Sequence, residues 1–405
     1  MASNVAEEND QPQAASSRST RKRKCDSKTT NEIKRLLTTN SESEGTRCRN
    51  RVLQTTSGSD EIESESRFDP SDFPPTMTSE WDFAVEYFDA MGLSTDVNVD
   101  YAPEEFFKQY VQKIICSNNK ASGYFAIQNS VLIKSIEKNV REIFDVMTFD
   151  VKDLNICATD NSFCHDSLKQ VEETERAMEI WFRSSEAVRD PEMMNFFMTL
   201  MVHAREFIEK LKKLVVSIKR NSGVPKEANY HMLFVYFIKM FNLQVSFCPD
   251  VESHDLVMRG FREQDLEAIE YNITSTPDIV ISHRNYSRDE KILAVIESPS
   301  KETETYLSTT VTGRHAGDLL VHLPHSAYGD GLLGMIRQQT RVTLTFLQPE
   351  EGYLQSLKTG CDIGGKEACM IVNTPCNLLT KEGRNKLIGP LLKLYVIQKW
   401  SLLHN

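Results

Sequence analysis

Apolar residues recur with helical spacing from Thr78 to about Arg220 and change to short β-type runs after Ser222-Gly223. Pro103 to Cys116 opens with proline and two acids, then places Phe106, Phe107, Tyr110, Val111 and Ile114 on one stripe. Proline suits a first helical turn, and a stripe three to four residues apart predicts an amphipathic helix. Ser130 to Met147 repeats the pattern with Val131, Ile133, Ile136, Val140, Ile143 and Phe144. Glu80 to Met91, Asp166 to Ser185 and Pro191 to Arg220 predict three more helices, the last carrying Phe196, Phe197, Leu200, Phe207 and Leu211 inward. A further helix is expected from Pro225 to about Phe241. It is almost continuously apolar from His231 to Ile238, as a buried helix should be.

Beyond that helix the runs shorten. Leu243 to Phe247 and Asp255 to Met258 read as strands, and Ala368 to Asn373 as a later one. Gly313 to Asp318 reads as a loop. Gly329-Asp330-Gly331 is expected to introduce a helix running to about Phe346, carrying Gln338, Gln339 and Arg341 after an apolar opening. Gly389 to Leu403 closes the chain with a mostly apolar segment.

The most informative stretch is Thr276 to Lys301. Two β-branched runs, Ile279 to Ser282 and Lys291 to Ile296, flank a polar loop, which is a hairpin signal. Asp278 stands where the first run begins and Glu297 where the second ends. Antiparallel strands put the start of one beside the end of the next, so the two acids converge at one edge. Close carboxylates need a cation, a shared proton or a basic neighbour. Magnesium takes oxygen ligands of this kind.

This arrangement resembles the PD-(D/E)XK, or restriction-endonuclease-like, nuclease superfamily. Pro277-Asp278 and Glu297 match its motif, while Pro299 stands where the motif lysine belongs and Lys301 follows two residues later. The resemblance implies an α/β fold, a mixed sheet flanked by helices in the order helix, three strands, helix, strand. It implies magnesium held by Asp278 and Glu297, with Glu227 on the preceding helix as a third acid and Lys301 as the substitute lysine. It also implies nucleic-acid contacts from Gln338, Gln339 and Arg341, with Arg337 as an alternative. Loss of the lysine points to a weakened or inactive site. An active magnesium-dependent DNA or RNA phosphodiesterase and a protein-interaction scaffold are the alternatives.

Composition sharpens the outline. The chain has 405 residues, 40% hydrophobic, with a net charge of -11. Residues 1 to 51 hold 11 basic against 7 acidic side chains, and 52 to 77 hold 1 against 6. Residues 1 to 77 have few apolar side chains and read as a disordered tail. Its run Arg21-Lys22-Arg23-Lys24 reads as a nuclear-import signal. The expected layout is that tail, an all-α domain over 78 to 222 and the nuclease-like α/β domain over 223 to 405. Protein partners would meet the tail and the helical domain. An acidic body argues against a broad non-specific nucleic-acid surface. No unbroken apolar run reaches the roughly 18 residues of a membrane span, so no membrane association is expected. The nine cysteines follow no zinc spacing. His315, His322 and His325 lie close in sequence without the companions of a metal site.

Overall fold

A computed structural model describes residues 76–78, 91–99, 101–117, 128–151, 160–185, 189–221, 226–247, 253–261, 268–284, 290–298, 307–359 and 366–403, with 124, 154, 157 and 251 singly. Arg21 to Lys24, Lys301 and the expected helix over 80 to 90 lie outside them. Strand β1 is Thr76–Thr78 and β2 is Leu93–Val99. Helix α1, Pro103–Phe107, runs through a π turn, Lys108–Gln112, into Lys113–Ser117. Then come α2 Val131–Val146, α3 Asn161–Ser184, α4 Pro191–Asn221 and α5 Glu227–Lys239. Ser130 caps α2 by accepting from Ile133 N at 3.2 Å, and Asp160 caps α3 from Ser162 N and Phe163 N at 2.8 and 3.1 Å. These side-chain acceptors satisfy backbone N–H groups that the first helical turn leaves without partners.

The remaining elements are β3 Val245–Phe247, β4 His254–Phe261, β5 Ala268–Ser275, β6 Ile279–Arg284, β7 Glu290–Glu297, α6 Thr309–His322, β8 Leu332–Gln338, β9 Arg341–Pro349, α7 Tyr353–Thr359, β10 Ala368–Asn373, β11 Cys376–Asn377 and α8 Lys381–Leu403. The fold is α/β. An eight-stranded mixed sheet runs β2-β10-β9-β8-β7-β6-β3, with β11 beside β9. β7 pairs in parallel with β8, and β2 with β10. A second sheet of three strands runs β1-β5-β4.

The large sheet is covered on both faces. Ile279, Ile281, Ile296, Leu333, Met335, Leu344 and Phe346 join one core with the helices α1 to α5 and α8. That core takes in Phe107, Phe144, Phe207, Phe237 and Val396, so the helices before residue 222 and the sheet after it share it. Val280, Val295, Leu332 and Leu347 point the other way, toward Leu319, Leu320, Leu256 and Ile273 of α6 and the small sheet. Adjacent strand residues enter opposite cores because side chains alternate across a sheet. Arg384 is fully buried within α8 and donates to the carbonyls of Leu378, Met147 and Phe149, tying α8 to the segment after α2.

Three expectations are corrected. The helix expected from Gly331 to Phe346 is the β8–β9 hairpin, with Leu333 opposite Phe346 and Gln338 opposite Arg341. Alternating Val342, Thr343, Leu344, Thr345 and Phe346 is a period-two pattern, and burial on both faces makes it look continuously apolar. Gln339 takes φ 53° in the turn. The loop expected at Gly313 to Asp318 is helix α6, capped by Ser308, which accepts from Val311 N at 3.3 Å. Gly313 and Gly317 are buried within it, spaced four apart on one face of the helix. Leu93–Val99, inside the region expected to be all-α, is a strand of the large sheet.

Candidate functional site

The site lies where β6 begins and β7 ends. Ile279 pairs with Ile296, so one step further Asp278 stands opposite Glu297, as the hairpin pattern requires. Asp278 Oδ2 accepts from the backbone N–H of Ser298 at 2.8 Å, which fixes the acid against the end of β7. Period-two alternation puts Glu297 on the face of Val295, toward α6. Its side chain is 3% exposed.

Helix α6 supplies the partners. Arg314 Nη2 lies 2.8 Å from Glu297 Oε1, and the guanidinium is 23% exposed. The alignment gives Oε1 no hydrogen bond, so the contact is one of charge. Asp318, one turn later, is within hydrogen-bond reach of Glu297 and accepts from Ser275 Oγ at 2.6 Å. Burial above all, then the carboxylates of Asp318 and Asp278, hold Glu297 well above the usual carboxylate range, against the opposing pull of Arg314. Two carboxyl groups hydrogen-bond only when one holds a proton, and the raised Glu297 fits a shared proton.

The opposite face carries a different arrangement. Arg337, fully buried on β8, forms an ion pair through Nη2 with Glu227 at the start of α5. Its Nε donates to Ser298 Oγ at 3.1 Å and its Nη1 to Gln339 O at 3.3 Å. Glu227, expected beside the metal, is thus the partner of Arg337. Arg337 itself is sealed inside, so it cannot meet a phosphate as the sequence reading allowed. His231, one turn after Glu227, is pushed down by burial and by Arg337, with Asp278 opposing.

Gln338, Gln339 and Arg341 follow directly. Ile336 lies opposite Glu297, so the β8–β9 turn projects past the same edge as the acids. Gln338 Oε1 accepts from Leu307 N at 2.9 Å, and Arg341 is exposed. Gln338 and Gln339 thus lie at the β8–β9 turn and Arg341 at the start of β9, on a hairpin instead of a helix.

The other histidines are not loop residues. His315 is buried and shares a 2.7 Å hydrogen bond with the hydroxyl of Thr345. Gly334 on β8 makes room for that contact, because a Cβ there would collide with both groups. His322 Nδ1 meets Asp318 O at 2.7 Å, and its ring lies edge-on to His254 at 4.9 Å, while His325 stacks on His254 at 4.2 Å. Burial pushes His315 and His322 down to about 3.

Magnesium is the ion that oxygen donors of this kind would take. That ion demands near-octahedral oxygen geometry. Glu297 faces Arg314 and lies within hydrogen-bond reach of Asp318, and Asp278 and Asp318 accept from Ser298 and Ser275. Among the described residues no group of three or more His, Cys, Asp or Glu is arranged to hold a metal ion. One arginine, set against Glu297, stands in for the cation, and with it in place the residues do not fit the ion. Sequence reading missed Arg314 and Asp318. The signal was present in Ser308 followed by Val311, Leu319 and Leu320, but the glycines between them masked it.

Comparison with known proteins finds no matching family model, no matching curated protein and no matching solved structure. Among the described residues no helix is long and apolar enough to cross a membrane.

Proposed function

We propose that the chain is a nuclear, nucleic-acid-associated protein built on a divergent restriction-endonuclease-like domain whose hydrolytic site is inactive or strongly weakened. The observation that carries the reading is the Arg314–Glu297 ion pair, set against the convergence of Asp278 and Glu297 at one sheet edge. Convergence supports descent from a nuclease-like site. A guanidinium against the central acid, and Pro299 in place of the motif lysine, support loss of hydrolysis. The order α5, β3, β6, β7, α6, β8 supports the fold kinship, with the β4–β5 pair inserted before β6. β8 is the next strand after that helix. Gln338, Gln339 and Arg341 at the hairpin turn would meet DNA or RNA, and Arg21 to Lys24 would address the chain to the nucleus. The helices α1 to α4 offer a surface for protein partners.

A second reading, a magnesium-dependent phosphodiesterase, draws on the same convergence and requires Arg314 to leave Glu297. Labelled DNA and RNA incubated with the full chain and magnesium or manganese separate the two. Wild type and Asp278→Ala should both leave the strands intact while retarding them on a gel. Cleavage by the wild type that vanishes in Asp278→Ala would establish the second reading. For the address, residues 1 to 51 fused to a reporter should concentrate it in nuclei; an unchanged distribution would sink that part.

A further inference from the structure

We infer that Arg314 is the built-in counter-cation of the Asp278, Glu297 and Asp318 cluster, and that it excludes a divalent cation from that cluster. The inference rests on the non-hydrolytic reading above and deepens it, by naming the residue that closes the site. Arg314 and Asp318 are four residues apart, so they project from one face of α6 toward the end of β7. The guanidinium nitrogen 2.8 Å from Glu297 Oε1 approaches the same oxygen a cation would need. That oxygen belongs to a side chain only 3% exposed, and it accepts no hydrogen bond. The guanidinium is a planar cation that carries donors only. It supplies donors and cannot ligate, so guanidinium and metal ion are alternatives at Oε1.

The surroundings are built to survive its removal. Ser298 N–H holds Asp278, and Ser275 Oγ holds Asp318, independently of Arg314. A neutral residue at 314 would leave Glu297 without its cation, beside Asp278 and Asp318. A divalent ion is the chemistry that restores the balance.

The test is titration of the full, chelator-treated chain with manganese chloride, followed by calorimetry and by thermal melting. Arg314→Gln should bind manganese at least about tenfold more tightly than wild type, because loss of a charge competing for one buried acid exceeds the 1.4 kcal/mol of a factor of ten. Its melting temperature should rise on manganese addition, and the gain should vanish in Arg314→Gln with Asp278→Asn. Equal manganese binding by wild type and Arg314→Gln would overturn the inference, as would a folded Arg314→Gln that binds none. If Arg314→Gln is unfolded without metal, circular dichroism decides: manganese that restores the helical signal supports the inference, and manganese that fails to do so overturns it. The two claims fail separately. Metal-dependent cleavage by the wild type defeats the non-hydrolytic reading, whereas absence of a gain in Arg314→Gln defeats only the role of Arg314.

Discussion

Two arginines serve one edge of the large sheet from opposite faces. On the α5 side Arg337 is fully buried and meets one carboxylate, one hydroxyl and one carbonyl. On the α6 side Arg314 meets Glu297, which also has Asp318 and Asp278 as neighbours, and the oxygen it approaches has no hydrogen bond. The first arrangement is balanced in charge and satisfied in hydrogen bonds, as a structural tie between α5 and the sheet should be. The second sets one arginine against three acids, and burial together with the neighbouring carboxylates raises Glu297. Surplus charge held inside a fold has a cost, and chains retain it where chemistry or binding uses it. The α6 side is on that ground the candidate site, and the α5 side its support.

The contrast is tested most strongly at Arg337. Replacing it by Met strands Glu227 and Ser298, and breaking a buried pair from one side costs about 3–5 kcal/mol. Urea denaturation should show that loss, and most of it should return when Glu227→Leu is added. A loss below about 1 kcal/mol would mean that the α5 side is not the tie. A smaller effect comes from the histidines on the α6 side. Their folded values, about 3, lie below the ordinary 6.5. The unfolded chain therefore takes up protons first as the pH falls. Their contribution is complete above about 6.5 and is lost progressively down to about 3, at up to about 1.4 kcal/mol per pH unit for each histidine. Stability measured from pH 7 to pH 4 should fall less steeply in His315→Gln than in wild type. Parallel slopes would contradict the buried, neutral state of His315.

The same contrast explains what was legible in the sequence. The α5 side was mostly readable: α5 itself, Glu227 in its first turn, and the strands of Asp278 and Glu297 follow from long or β-branched runs with clear ends. The α6 side was not. Glycines at 313 and 317 carry a turn signal in sequence but lie buried inside a helix in the fold, so propensity yields there to tertiary context. β8 and β9 are buried on both faces, so their period of two is hidden beneath a continuous apolar run. Leu93–Val99 is too polar to signal a strand and gains its pairing from β10, some 270 residues away along the chain. The convergence of Asp278 and Glu297 was local information. Their third acid and their counter-cation came from a helix whose place only the fold determines.

The central claim is that Arg314, acting on Glu297, balances the acidic edge. A double-mutant cycle of Arg314→Gln and Glu297→Gln, read by urea unfolding at pH 8 and pH 5, tests it most directly. Glu297 is raised above its unfolded value, so its favourable contribution holds below the ordinary carboxylate range and is lost as the pH rises through the folded value. Ionisation then makes it depend on Arg314. A coupling of about 1–2 kcal/mol at pH 8 that shrinks at pH 5 is the expected result. Additive losses at both values would show that the two side chains merely lie side by side, and the account of the site would fail.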